Sequence, residues 1–223
     1  LPISGVEFNA LIEPILTNDI RHIAVGVSGG PDSLALTWLM HQWCGRVSMP
    51  LTALIVDHRL RPSSSQEALK VSEWLKTWGL NHKILPWVGK KPNTGIQELA
   101  RAARYKLMLC WCLRNGIRDL LLAHHQEDQA ETFLMRLSRG SGIDGLACMR
   151  MITKREGVRL LRPLLAVPKS RLQATLEFLD QEWLEDPSNT NPAFTRTLMR
   201  GLSSALDMRG RGVDAERLAA LAG

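Results

Sequence analysis

Short apolar runs alternate with stretches of helical spacing between residues 5 and 139. Strands are predicted at 23–27, 51–56, 84–88 and 119–123, because short runs rich in Val, Ile and Leu are typical of strands buried on both faces. Helices are predicted at 5–16, 32–43, 65–78, 95–115 and 126–139, where apolar residues recur at helical spacing. This alternation predicts an α/β fold with a doubly wound, mainly parallel sheet flanked by helices.

Punctuating residues refine these elements. Pro86 places the third strand towards an edge of the sheet, because proline cannot donate to a strand ladder. Ser64 and Glu67 have the spacing of a capping box for the helix at 65–78, and Thr94 and Gln97 mark the start of the next helix. Gly116 is typical of a helix stop.

The pattern changes after residue 139. Gly140, Gly142 and Gly145 mark a connection, followed by a short strand at 158–161, helices at 168–179 and 195–206, and a loop at 186–192. We therefore expect an α/β domain over residues 1–150 and a small, basic, mostly helical C-terminal extension over 151–223 that completes it.

The turn between the first strand and its helix contains a candidate anion site. It reads Ser28-Gly29-Gly30-Pro31-Asp32-Ser33. Glycines allow close backbone approach to a ligand, proline suits the first helical position, and a helix N-terminus attracts anions. The pattern is neither G-x-x-x-x-G-K-[ST] nor G-x-G-x-x-G. An ordinary strand-to-helix turn is the alternative.

Polar clusters follow three of the predicted strands, at 28–33, 57–61 and 124–128. The carboxyl ends of parallel strands share one edge of a sheet, where ligands bind, so these clusters should converge. The residues His124, Glu127, Asp128 and Glu131 share one helix face and predict a magnesium-phosphate or general-base site. Acids that only stabilise a helix N-terminus are the alternative, and zinc would have too few ligands.

Basic residues add a second signal. Arg101, Arg104 and Tyr105 share a helix face that could clamp phosphate or be an exposed basic stripe. The net charge is +6, and residues 136–171 hold nine Lys and Arg against two acids. Such a segment is typical of a nucleic-acid contact or of a solvated face.

The four cysteines lack zinc-type spacing, and no apolar run approaches the roughly 20 residues of a membrane span. Together with the absence of secretory features at residues 1–20, this favours a reduced, cytoplasmic setting without membrane attachment.

The turn at 28–33 resembles the S-G-G-x-D-S signature of the PP-loop (N-type) ATP pyrophosphatases. Further motifs resemble, in order, those of the tRNA(Ile)-lysidine synthetase family. They are Val56-Asp57-His58 with Leu60-Arg61, Arg101-x-x-Arg104-Tyr105, His124-His125-x-x-Asp128-Gln129-x-Glu131-Thr132, Arg139-Gly140-Ser141-Gly142-x-x-Gly145-Leu146, Arg162-Pro163-Leu164-Leu165 and Asp186-Pro187-Ser188-Asn189.

The resemblance implies an enzyme that uses ATP and Mg²⁺ to adenylate the wobble cytidine of tRNA(Ile) with a CAU anticodon. The amine of L-lysine then displaces AMP. It implies ATP binding by Ser28, Gly29, Gly30, Pro31, Asp32, Ser33, Asp57 and His58. It implies catalytic roles for Asp32, Arg101, Arg104, His124, Asp128 and Arg162, with Asp32 and Asp128 as magnesium ligands.

The chain departs from the family pattern at Glu127, where Asp is usual, at Arg59, where Gly is usual, and in the run 195–200, which keeps its arginines but lacks an Asn. Only some twenty residues follow Arg200, so we expect either a short form or a catalytic-domain fragment. A homodimer is a candidate assembly. The alternatives are a tRNA thiolation enzyme, disfavoured because no C-x-x-C is present, and a non-catalytic nucleotide- or RNA-binding domain.

Overall fold

The structure is a computed structural model that describes residues 1–17, 19–89, 95–138, 140 and 148–185. The helices in these ranges are α1 (Gly5–Ile12), α2 (Pro31–Arg46), α3 (Ser64–Thr77), α4 (Ile96–Arg114), α5 (Gln126–Ser138) and α6 (Lys169–Phe178), with a short 3-10 helix at Glu13–Ile15. The strands are β1 (Ile23–Val27), β2 (Leu51–Asp57), β3 (His82–Pro86), β4 (Asp119–Leu121), β5 (Ile152–Arg155) and β6 (Val158–Leu161). The strands predicted at 23–27 and 158–161 have these bounds in the structure.

The strands form one sheet in the order β3-β2-β1-β4-β6-β5. All neighbours are parallel except β5, which runs antiparallel to β6, so the predicted mainly parallel sheet is confirmed. β3 lies at one edge, as Pro86 predicts. β5 and β6 extend the same sheet beyond residue 150, so the division into 1–150 and 151–223 stays a prediction. The expected loop at 186–192 and helix at 195–206 lie outside the described residues.

Helices cover both faces of the sheet because successive strand residues point to opposite sides. On one face, Val25 packs in a core with α1, α2, α3 and α6. On the other face, Ala24 packs against Met108 and Leu109 of α4. Within the ranges that the structure describes, no helix combines the length and the apolar character that crossing a membrane requires.

The strand order reverses beside β1. The chain passes outwards from β1 through β2 to β3, and then returns to β4 on the opposite side of β1. The loops that leave β1 and β4 therefore diverge, and they open a crevice at the carboxyl ends of these two strands. Residues 28–33 follow β1, and residues 122–125 follow β4.

Two helix ends test the capping predictions. The capping box at Ser64 and Glu67 is wrong, because α3 begins at Ser64 without a side-chain cap and Glu67 instead pairs with Arg61 at 2.9 Å. Gly116 follows α4 with φ +67°, a conformation suited to glycine, which confirms it as the stop. Thr94 lies outside the described residues.

Candidate active site

The turn after β1 is held by the hydroxyl of Ser33. The Ser28 backbone N–H donates to Ser33 Oγ at 3.1 Å, and Ser33 Oγ donates to the Gly30 carbonyl at 3.0 Å. Pro31 occupies the first turn of α2, and among the described residues no side-chain cap bonds to this end of the helix. The remaining N–H groups of the first turn are therefore available to an anion.

Gly29 is tightly enclosed. Its φ is +87°, and a Cβ added there would lie 2.6 Å from Val71 and 2.7 Å from Leu184. Its carbonyl accepts the Leu184 N–H at 2.8 Å. Only glycine satisfies both the backbone conformation and the packing against α3 and the segment after α6.

The crevice contains a cavity of about 200 Å³ between the turn, α4 and the start of α5. Most of the predicted site residues line it: Ser28, Gly30, Asp32, Ser33, Arg101, Arg104, His124 and Asp128. A larger groove of about 890 Å³ adjoins this cavity. Val27, Ser28, Val56, Arg101 and Arg104 line both, so cavity and groove form one continuous cleft.

His125 lies at the centre of three carboxylates. Its Nε2 is 3.4 Å from Asp32 Oδ2 and 3.5 Å from Asp128 Oδ2, and its Nδ1 is 2.9 Å from Glu127 Oε2. Burial alone would lower the pKa of His125, but hydrogen bonds to Asp32 and Glu127 and the charge of Asp128 raise it to about 10. His125 is therefore a cation that holds the acids together.

The sequence interpretation assigned no role to His125 and placed His124 among the catalytic candidates. The available signal was a second histidine beside closely spaced acids, but the sequence could not show which ring they surround.

His124 is buried and uncharged. Burial lowers its pKa to about 3, against the opposing charge of Asp128, and nearby arginines lower it further. Its Nδ1 lies buried without a hydrogen-bond partner among the described residues. A neutral imidazole lining the cavity can exchange a hydrogen bond with a ligand.

Glu127 joins α5 to α6. Both carboxylate oxygens accept the Lys169 backbone N–H, at 3.1 and 3.0 Å, and one also accepts from His125. The pKa of Glu127 is affected most by burial, which raises it, but hydrogen bonds and the charge of His125 produce a net lowering.

Asp57, a predicted nucleotide contact, organises the turn after β2. Its carboxylate accepts from the Arg59 backbone N–H at 3.0 Å, from Arg59 Nε at 3.3 Å and from Ser65 Oγ at 2.8 Å. His58 lines the groove and packs edge-on against Trp87, with ring centroids 6.3 Å apart.

The predicted arginine face converges on buried Tyr105. The guanidinium carbons of Arg101 and Arg104 lie 5.4 and 5.9 Å from its ring centroid, and that of Arg155 lies 5.3 Å away. Arg162 is also buried, and donates to the Arg150 carbonyl and to a threonine, each at 3.0 Å. Tyr105 thus links α4 to the β5–β6 hairpin.

Asp32 and Asp128 fit a magnesium ion. Asp32 Oδ1 is buried without a hydrogen-bond partner among the described residues, and Asp128 lines the same cavity. Within the described ranges, no group of three or more His, Cys, Asp or Glu is arranged to hold a metal. Two carboxylates suffice for Mg²⁺, which keeps several waters and takes its other ligands from phosphates.

Several known proteins are similar to this chain in sequence or in fold. A family model described as a PP-loop domain matches residues 3–204. A tRNA(Ile)-lysidine synthase of Bradyrhizobium sp. is 46% identical over 100% of this chain and 62% of its own length. The corresponding Rhodopseudomonas palustris protein is 48% identical over 90% of this chain and 58% of its own. The chain thus spans about three fifths of the length of these curated relatives.

Among solved structures, a U34-tRNA thiolase from Methanococcus maripaludis, with its [4Fe-4S] cluster, superposes with a TM-score of 0.77. The match covers 96% of this chain and 76% of the thiolase, at 17% identity. A similarity at this level of identity concerns the fold alone.

Proposed function

The chain belongs to the PP-loop domain family, and from this membership we propose that it is an ATP-consuming ligase that modifies tRNA. The proposed reaction joins lysine to C2 of the wobble cytidine of tRNA(Ile) with a CAU anticodon, releasing AMP and pyrophosphate. The names and the 46% and 48% identities of the two relatives support this choice among PP-loop reactions.

One structural observation carries the proposal. At the strand-order reversal, one cavity is lined by the turn at 28–33, our proposed anion-binding turn, by Arg101 and Arg104 of α4 and by Asp128 of α5. A helix N-terminus and two guanidinium groups suit a polyphosphate, while the adjoining groove of about 890 Å³ has room for an acceptor.

The proposed first step is attack of the cytidine O2 on the α-phosphorus of ATP. The bond from that phosphorus to the oxygen bridging the α- and β-phosphates breaks, and pyrophosphate leaves. Arg101 and Arg104 line both cavity and groove, where they would offset the negative charge that develops at the α-phosphate. Buried Arg162, which shares a side-chain hydrogen bond with Tyr105, would support them through that residue.

The proposed second step is attack of the lysine amine on C2 of the adenylated cytidine. The C2–O2 bond breaks, AMP carries away the oxygen, and the amine loses a proton. Asp128 is our candidate to accept that proton or to orient the amine, and neutral His124 would donate or accept one hydrogen bond beside it. Alternatively, Asp32 and Asp128 would hold Mg²⁺, which when bound supplies positive charge that neutralises the phosphates.

The basic segment at 136–171 is proposed to meet the anticodon stem of the tRNA. Arg150 and Lys154, both exposed, belong to the described part of this segment. A cytoplasmic location and a homodimer remain proposals.

Thiolation is the competing tRNA reaction, and the cysteines disfavour it. Cys44 packs on the α2 face of the sheet and Cys112 on the α4 face, so these two thiols cannot share one cluster. Burial raises the pKa of each to about 12. Cys148 is also buried, and burial raises its pKa. A non-catalytic binding domain would keep ATP binding without releasing pyrophosphate.

The test is release of AMP and pyrophosphate from ATP in the presence of a CAU-anticodon tRNA(Ile) transcript, with and without lysine. A transcript with uridine at the wobble position is the control. With the first transcript alone we expect sustained, equimolar release of both products that depends on lysine. Without lysine, adenylation should release no AMP and at most one pyrophosphate per transcript. ATP binding without release of AMP or pyrophosphate in the presence of either transcript would contradict the proposed ligase function and favour a non-catalytic binding domain.

A further inference from the structure

Lys169 occupies an unusual position for a cation. It is the first residue of α6, where the positive end of the helix dipole disfavours positive side chains. Its backbone N–H is held by both oxygens of Glu127, at 3.1 and 3.0 Å. The position of the Lys169 backbone is therefore fixed by the same carboxylate that contacts His125.

The side chain of Lys169 extends towards the anion-binding turn. Its Nζ lies 3.8 Å from Asp32 Oδ2, and the side chain is 30% exposed, so it has room to move onto a ligand. The turn supplies no cation of its own, because residues 26–33 contain neither Lys nor Arg. A bound polyphosphate therefore needs positive charge from elsewhere in the fold.

His125 is surrounded by three carboxylates, and the other cations considered for this site approach from opposite faces of the sheet. Arg101 and Arg104 belong to α4, which covers one face, whereas α6 packs against the other. The two arginines line both cavity and groove. In the proposed reaction this is where the acceptor would meet the α-phosphate. Lys169 instead contacts Asp32, which lines the cavity beside the N-terminus of α2.

We propose that Lys169 binds the terminal phosphates of ATP and the departing pyrophosphate, opposite the arginines that serve the α-phosphate. The inference rests on the proposed function, since it requires ATP in the cavity. It gives Lys169 a role distinct from the tRNA contact assigned to the basic segment at 136–171.

The experiment is calorimetric titration of the chain with ATP, pyrophosphate and AMP in the presence of Mg²⁺. Lys169→Met removes the charge and keeps most of the side-chain length, and Lys169→Arg restores a cation. Lys106→Met, at an exposed position of α4, is the matched control. Thermal unfolding without ligand checks that each variant is folded, which we expect because Glu127 bonds to the Lys169 backbone.

We expect Lys169→Met to weaken ATP and pyrophosphate binding about 10-fold or more, as loss of a charge-assisted hydrogen bond predicts. AMP affinity should stay unchanged, and Lys169→Arg should recover most of the ATP affinity. Unchanged ATP and pyrophosphate affinities, or an equal loss of AMP affinity, would overturn the proposed role of Lys169 without contradicting the proposed function. Failure of the unmodified chain to bind ATP would overturn the proposed function together with this inference.

Discussion

At the scale of single residues, the site depends on charges placed within hydrogen-bond range of one another. His125 is only 3% exposed and lies between Asp32, Glu127 and Asp128. Its positive charge offsets the repulsion among these three carboxylates. An unpaired buried charge is costly, so removing this one cation should affect all three acids together.

Asp128→Asn tests the chemical role of one of these acids. Asparagine can still accept the His125 backbone N–H, which Asp128 Oδ2 accepts at 3.1 Å, so the fold should persist. We expect turnover to fall about 100-fold or more while ATP binding changes little, because the charge that would orient or deprotonate the amine is gone. Product release and calorimetric ATP titration measure the two effects. Unaltered turnover would remove Asp128 from the mechanism.

Gly29 and Gly30 are neighbours that should respond differently to alanine. Gly29→Ala places a Cβ at 2.6 Å from Val71 in a left-handed conformation, and should lower the free energy of unfolding by about 1–3 kcal/mol. Gly30 has φ −74°, and the nearest atom to an added Cβ is Ser28 Oγ at 3.8 Å, so Gly30→Ala should fold normally. Urea unfolding compares them. Equal stability would show that the packing around Gly29 yields to the extra methyl group.

At the scale of secondary-structure elements, an ion pair between Glu7 and Arg171 connects α1 to α6. Arg171 donates to both carboxylate oxygens of Glu7, with Nη2 to Oε2 at 2.7 Å, and it also bonds to the carbonyls of Leu1 and Pro2. Because Lys169 lies two residues before Arg171, this pair also helps to position the start of α6, where Lys169 contacts Asp32.

The ion pair predicts a pH-dependent contribution to stability. The hydrogen bond from Arg171 lowers the pKa of Glu7 below its ordinary 4.5, although burial opposes this. A carboxyl group with a lowered pKa stabilises the fold above its unfolded pKa and loses that contribution as the pH falls through the folded value. Glu7→Gln should therefore cost about 0.5–1 kcal/mol at pH 7, a modest figure because both side chains are about one third exposed.

The difference between Glu7→Gln and the unmodified chain should disappear on acidification below the pKa of Glu7. Urea unfolding at a series of pH values measures it, with Glu73→Gln at an exposed position of α3 as the control. A cost that persists at low pH would show that packing, and not charge, is responsible.

At the scale of the whole molecule, the two edges of the sheet have different surroundings. β5 forms one edge and carries Lys154 and Arg155, while β3 forms the other and has α3 beside it. The proposed tRNA contact belongs to the β5 edge, because the basic segment at 136–171 contains that strand.

Charge removal at the β5 edge should weaken tRNA binding without affecting ATP. Replacing Arg150 and Lys154 by glutamine should make the dependence of log affinity on log salt shallower by about 0.7–0.9 for each lost phosphate contact. Lys76→Gln on α3 is the control. Filter binding over a range of salt concentrations measures the slope. An unchanged slope would place the nucleic acid elsewhere.

The sequence by itself determined the alternation of strands and helices and, through it, the edge at which the site lies. This was possible because buried parallel strands have a local signature, and the loops after them share one edge of the sheet. The clusters at 28–33, 57–61 and 124–128 were accordingly predicted to converge. The first and third contribute residues to the cavity, and His58 and Arg61 of the second line the adjoining groove.

Only the tertiary structure decided the order of the strands and the partners of the charged side chains. Strand order depends on pairing between distant segments, so the sequence could not place the reversal between β1 and β4. Nor could it show that Asp57 bonds within its own turn, or that His125 is surrounded by acids. The contact between Lys169 and Asp32 joins residues more than one hundred positions apart, and packing of α6 against the sheet brings them together.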